Sequence, residues 1–223
     1  MTRTKLCDRK LPVYTIGEER MNMITHIVGG GFGVLILLAA VLLGALRRDA
    51  WTVVTGAIYG VSMIALYTVS SVYHGLRAGT AKKVMQVIDH CTIYLLIAGT
   101  YTPILLVSIR PVYPVLAWTI FGIQWGLTAL AVVLNAIDLK KFSVISMVLY
   151  IAMGWCIIIA IKPMVVCTGW TAFWWILGGG ISYTIGAVLY GMGRTRKYCH
   201  SVFHIFVDLG SIAQAVGILC YVL

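Results

Sequence analysis

From Met21 to Leu223 the sequence is a succession of apolar runs separated by short polar breaks, each run near the roughly 20 residues that an α-helix needs to cross a bilayer. Segments that cross lipid must satisfy every backbone N–H and C=O internally, so runs of this length read as helices. With 61% hydrophobic and 11% charged residues in 223, the chain has more apolar surface than a soluble domain of its size could bury. The expectation is an all-α membrane protein, a seven-transmembrane-helix bundle. Its helices run over about Met21–Leu46, Trp51–Leu76, Met85–Ser108, Val112–Leu134, Phe142–Ile161, Trp170–Met192 and His200–Leu223. Residues 1–20 read as a basic cytoplasmic tail and 21–223 as one membrane domain. Met1 to Lys10 has no apolar run followed by a small-residue cleavage site, so it does not read as a cleaved signal peptide.

The net charge of +10 is distributed by side. With the N-terminus inside, the inner breaks hold Arg3, Lys5, Arg9, Lys10, Arg20, Arg77, Lys82, Lys83, Lys140, Lys141, Arg194, Arg196 and Lys197, thirteen of the seventeen basic residues; Arg47, Arg48, Arg110 and Lys162 fall outside. By the positive-inside rule the N-terminus is cytoplasmic and the C-terminus, after an odd number of crossings, is outside. The same distribution argues against nucleic acid as a partner, because no aromatic-basic surface module accompanies the charge. The six cysteines form no CxxC pair and read as buried free thiols. Gly29, Gly30, Gly31 and Gly33, Gly56 with Gly60, and Gly178 to Gly180 suit close helix packing. Pro103 is expected to kink the third helix and free a carbonyl.

Ionisable side chains are costly in a bilayer, so each one within a helix is a functional candidate. Glu18, Glu19, Asn22 and His26 begin helix one, Ser70 and His74 end helix two, Asp89 and His90 begin helix three, and His200, His204 and Asp208 begin helix seven. All five histidines thereby reach one side of the membrane on helices that run in both directions. His200 and His204, four residues apart, share one helical face. Together with His74 they suit a tetrahedral zinc site with three protein nitrogens and an open position for water, a few ångströms inside the cytoplasmic boundary. Ser70, one turn before His74, can hydrogen-bond a ligand or the water. Asp89 is the nearest carboxylate that could orient or deprotonate that water, whose pKa zinc can lower to roughly 7. Two histidines at helical spacing are often merely hydrogen-bonded interfacial residues; the addition of His74, Ser70 and Asp89 at the same depth is what favours metal. His90, about 100° round the helix from Asp89, faces another neighbour. His26 reads as a supporting residue or spare ligand, Glu19 and Asn22 as caps of helix one or braces at the rim, and Asp208, one turn beyond His204, as a proton-binding or cavity-lining group.

These residues carry a resemblance. Glu19-x-x-Asn22-x-x-Thr25-His26, Ser70-x-x-x-His74 followed by Asp89, and His200-x-x-x-His204 are similar to the three motifs of the hemolysin III family, related to the progestin and adipoQ receptors. The stretch from Asp89 to Pro103 resembles the bacterial branch, and the likeness runs from about Glu18 onward. It implies a seven-helix bundle with zinc held by His74, His200 and His204 near the cytoplasmic face, Asp89 by the zinc water and Ser70 beside it. Asp208 lies outside the shared motif, and Gln214 stands where many relatives have another histidine.

Three functions follow as expectations. The first is a hydrolase of lipid amides or esters, ceramidase-like as the wider superfamily implies, acting on a membrane lipid that keeps its tail in the bilayer. The second is a sensor of membrane lipid state, as the receptor relatives imply. The third is a pore-forming or lytic protein with structural zinc, after the family name; polar residues clustered at one end of the helices fit a one-sided site better than a channel.

Overall fold

The computed structural model describes residues 4–193 and 196–223; Arg3 and Arg194, counted in the charge bias, lie outside the described residues. Among those described, the architecture is helical with no strands: α1 (Ile16–Leu46), α2 (Ala50–Gly75), α3 (Thr80–Pro103), α4 (Pro114–Asp138), α5 (Ser143–Gly154), α6 (Ile161–Met192) and α7 (Cys199–Tyr221). Six spans are long and apolar enough to cross a membrane, because α5, a 3₁₀ stretch at Trp155–Ala160 and α6 run on as 50 residues from Ser143 to Met192. Gly169, at φ 82° and ψ 168°, interrupts that run with a conformation that only glycine adopts without strain. The break expected between Ile161 and Trp170 is thereby narrowed to its last residue, Gly169, with residues 162–168 helical.

Other boundaries also differ. α1 begins at Ile16 because Thr15 and Glu18 form a capping box, the Thr15 side chain accepting from the Glu18 N–H while Glu18 accepts from the Thr15 N–H. Thr15 and Glu18, not Glu19 or Asn22, cap the first helix. α2 is capped by Asp49, which accepts from the Thr52 hydroxyl at 2.6 Å and from the Trp51 and Thr52 amides, bonds that hold its carboxyl below the usual range. α3 starts at Thr80, which places Asp89 in its third turn rather than at its start. After Pro103 the winding changes: Ile104–Ile109 is a π-helical stretch, closed where the Arg110 N–H reaches the Leu105 carbonyl at 2.8 Å.

α1 packs on α2, α2 on α3 and α6 on α7, with α1 closing against α7. The closest approaches occur at glycines. A Cβ on Gly60 would sit 2.6 Å from the Leu37 Cβ, and one on Gly179 2.8 Å from the Gly210 carbonyl, so these pairs bring α1 onto α2 and α6 onto α7 at backbone contact. Gly31, Gly178 and Gly180, expected to pack likewise, face open space. Tyr59, Met63 and Tyr67 of α2 are fully buried at the centre. All six cysteines are free, but only Cys91 is buried, while Cys7 and Cys220 are exposed.

Candidate functional site

α2 ends and α7 begins at the same level of the bundle, and their facing turns carry the histidines. His74, His200 and His204 are buried, and one nitrogen from each lies within 4.8 Å of the others. His200 Nε2 and His204 Nε2 are 3.1 Å apart. His74 Nδ1 is 2.7 Å from Glu19 Oε2, which fixes the proton on Nδ1 and leaves the buried Nε2 lone pair without a hydrogen-bond partner. An imidazole held through one nitrogen by a carboxylate, with the lone pair of its other nitrogen free beside two further imidazoles, is the donor arrangement of a metal ligand; these three histidines could hold an ion.

The support comes from three directions. Glu19 is itself anchored: Lys82, only 5% exposed, donates to Glu19 Oε1 at 2.6 Å and to the Leu76 carbonyl at 3.0 Å. The Asn22 amide approaches His74 Nδ1 at 3.4 Å, and His26 lays its ring against His204 at 3.8 Å between centroids, with both its nitrogens buried and unpartnered. Glu18, besides capping α1, accepts from the Tyr198 N–H at 2.7 Å, and Tyr198, at φ 62°, is the residue from which α7 starts. One glutamate thus joins the start of α1 to the turn that aims His200.

Residues 4–15 cross this end of the bundle as a strap. The Thr4 N–H donates to Asp138 Oδ2 at 2.7 Å, Lys83 donates to the Cys7 carbonyl, and Tyr14 stacks on His200 with 4.8 Å between ring centroids and 21° between planes. Partial burial keeps the Tyr14 hydroxyl protonated well above the ordinary range, so it meets the histidines as a neutral ring.

Ser70, one turn before His74 on α2, is buried, and its hydroxyl lies against the Asp89 carboxylate. The structure thus gathers His74, His200, His204, Glu19, Asn22, His26, Ser70 and Asp89 around one locus. His90 turns away towards Tyr190, 6.3 Å between rings. Asp208 sits a turn deeper, in a separate crevice with Gly29 and Tyr67. Lys82 and Tyr14 were missed as site residues, and Glu18, placed among the candidates at the start of helix one, was given no role of its own; the Thr15-x-x-Glu18 capping pattern was the available signal for helix α1 reaching that far.

Over residues 14–215 the chain matches the sequence family described as Haemolysin-III related. The chain belongs to the haemolysin III family. This haemolysin III protein is 35% identical over 209 residues to "Hemolysin-3 homolog" of Bacillus subtilis, covering 94% of this chain and 96% of the relative. It is 36% identical over 208 residues to "Hemolysin-3" of Bacillus cereus, 93% of each. A more distant likeness, 23% over 232 residues, covering 93% of this chain and 72% of the relative, is to "ADIPOR-like receptor IZH2" of Saccharomyces cerevisiae. Family membership and the apolar helices together make the haemolysin III chain a multi-pass membrane protein.

Because Glu19 is, among the described residues, the one carboxylate hydrogen-bonded to a histidine of the trio, Glu19→Gln is expected to weaken metal retention about 10- to 100-fold, read by competition with a chelator of known affinity. The same change leaves the buried Lys82 ammonium without its anion, and Glu19→Gln/Lys82→Met should recover stability but not metal affinity.

Proposed function

We propose that this protein is a zinc-dependent hydrolase of lipid amide or ester bonds, with seven crossings of the plasma membrane and its site near the cytoplasmic face. The observation that carries the reading is the trio of buried histidine nitrogens set beside Ser70 and Asp89. Zinc suits the donors: two nitrogens on one tetrahedral zinc, at about 2.05 Å each, stand about 3.3 Å apart, near the 3.1 Å between His200 and His204. Bound there, zinc would supply a Lewis acid and a water acidic enough to lose its proton near neutral pH.

The chain's own residues supply the rest. Glu19 holds the His74 ring by its Nδ1 proton, Asp89 takes the proton that the attacking water gives up and returns it to the leaving amine or alcohol, and Ser70 keeps that carboxylate aligned. Seven crossings are supported by the 50-residue run, about 75 Å if straight, far longer than a bilayer needs and interrupted at Gly169. The surplus of basic residues in the inner breaks supports a cytoplasmic N-terminus.

The test is metal analysis of the detergent-purified protein, followed by incubation with a panel of ceramides and other lipid amides and esters. About one zinc per chain with release of fatty acid is expected. Zinc without turnover on any lipid would overturn the hydrolase and move lipid sensing or lysis ahead; absence of zinc would overturn the metal reading itself.

A further inference from the structure

At the end of the bundle away from the histidines, the turn between α1 and α2 meets the link between α3 and α4. Arg47 and Arg48 of that turn are exposed. Arg110, where the π-helical stretch ends, brings its guanidinium to 3.6 Å from the ring centre of Trp51, in the first turn of α2. Three of the four basic residues that the sequence places at this end thereby converge on one corner. The turn is fixed, since the Asp49 N–H donates to the Gly44 carbonyl at 3.0 Å and Arg48 takes a φ of 55°.

The protein does not answer this charge. Arg110 Nε is buried and donates to nothing, and among the described residues Arg110 has no ion pair. The neighbouring carboxylate, Asp49, spends its oxygens on the Trp51 and Thr52 amides and the Thr52 hydroxyl. Three guanidinium groups against one carboxylate leave the corner positive. A guanidinium laid on an indole keeps its N–H edge for an acceptor, and that edge matches two oxygens of a phosphate. The depth of the corner says which phosphate. Trp51 and Trp118, 39% and 46% exposed and 6.2 Å apart edge to face, are an aromatic pair of the kind that marks a membrane interface, where lipid headgroups lie. Phe121, one turn on from Trp118 and 5.5 Å from it, continues an apolar wall along α4 for an acyl chain.

We infer that this corner binds the phosphodiester headgroup of an anionic phospholipid, with Arg110, held on Trp51, donating to the phosphate oxygens and Arg47 and Arg48 supplying the surrounding charge. A zwitterionic lipid offers the same phosphate but carries its own ammonium into a corner that is already positive, so the net charge of the headgroup decides. The site is remote from the histidines and stands whether or not the protein hydrolyses lipids.

The test is native mass spectrometry of the full chain in detergent, offered equal amounts of phosphatidylglycerol and phosphatidylcholine with identical acyl chains. The wild type is expected to retain phosphatidylglycerol with a preference of about tenfold. Arg110→Gln should bring the ratio to within about twofold of one, whereas Arg110→Lys, which keeps the charge and loses the planar fork, should hold part of it. Trp51→Leu, which removes the platform, should lower it as well. Lys141→Gln, a charge lost at the histidine end, should leave it unchanged, and so should a large excess of inorganic phosphate. A ratio near one in the wild type, an undiminished ratio in Arg110→Gln, or an equal loss in Lys141→Gln would overturn the inference. Displacement of the lipid by inorganic phosphate would overturn it too, as the mark of a site for the free anion.

Discussion

The His200→Ala protein is expected to leave the detergent column with about a tenth or less of the zinc carried by the wild type. In the proposed site three imidazoles are the protein donors, and removal of one would leave two ligands and a buried gap against the Tyr14 ring. The loss should exceed that of Glu19→Gln, which only loosens a ligand. One neighbour can mask the effect: the His26 ring lies against His204, tilted by 33°, with both nitrogens buried and unbonded, and a small shift would offer a replacement ligand. His26→Ala alone should therefore keep most of the metal, while His26→Ala/His200→Ala should lose what the single variant retains. Metal analysis beside a helical circular-dichroism spectrum separates lost ligation from lost fold; stoichiometric zinc in the folded double variant would reject the ligand set.

Asp89→Asn should keep its zinc and lose about 10²- to 10⁴-fold in turnover, the range expected when a positioned acid–base group is removed. The substitution preserves shape and the contact with Ser70 but removes the group that can take a proton. Zinc content unchanged with kcat collapsed and KM little altered is the signature; parallel loss of zinc would make Asp89 a structural support of the site. Ser70→Ala, which leaves the carboxylate in place but unaligned, should cost less.

The helical class, the convergence of His74, His200 and His204, and the approach of Ser70 to Asp89 were all legible because helix periodicity and run length determine which residues share a face and a depth. What was hidden arises from contacts between segments distant in the chain. Glu19 bonds a histidine 55 residues away, and nothing local in the sequence distinguishes it from a solvated rim residue. Lys82 was counted as one more inner positive charge, yet it is buried as Glu19's partner. The first twenty residues read as a tail because they are polar, although the capping box at Thr15 already begins α1 within them. The break expected between Ile161 and Trp170 is confined to Gly169: residues 162–168 are helical, so the spacing of apolar runs placed the interruption but overstated how much chain leaves the helix.

The strap over the histidines has a mechanical corollary. It is pinned at Asp138 on α4 and at Lys83 on α3, and its far end carries the ring that lies on His200. A displacement of α3 and α4 relative to α1 therefore pulls on a tether whose other end covers the site, much as a drawstring closes a purse. Anything bulky fused ahead of Thr4 would load the same tether, so an N-terminal tag is expected to perturb the histidine centre.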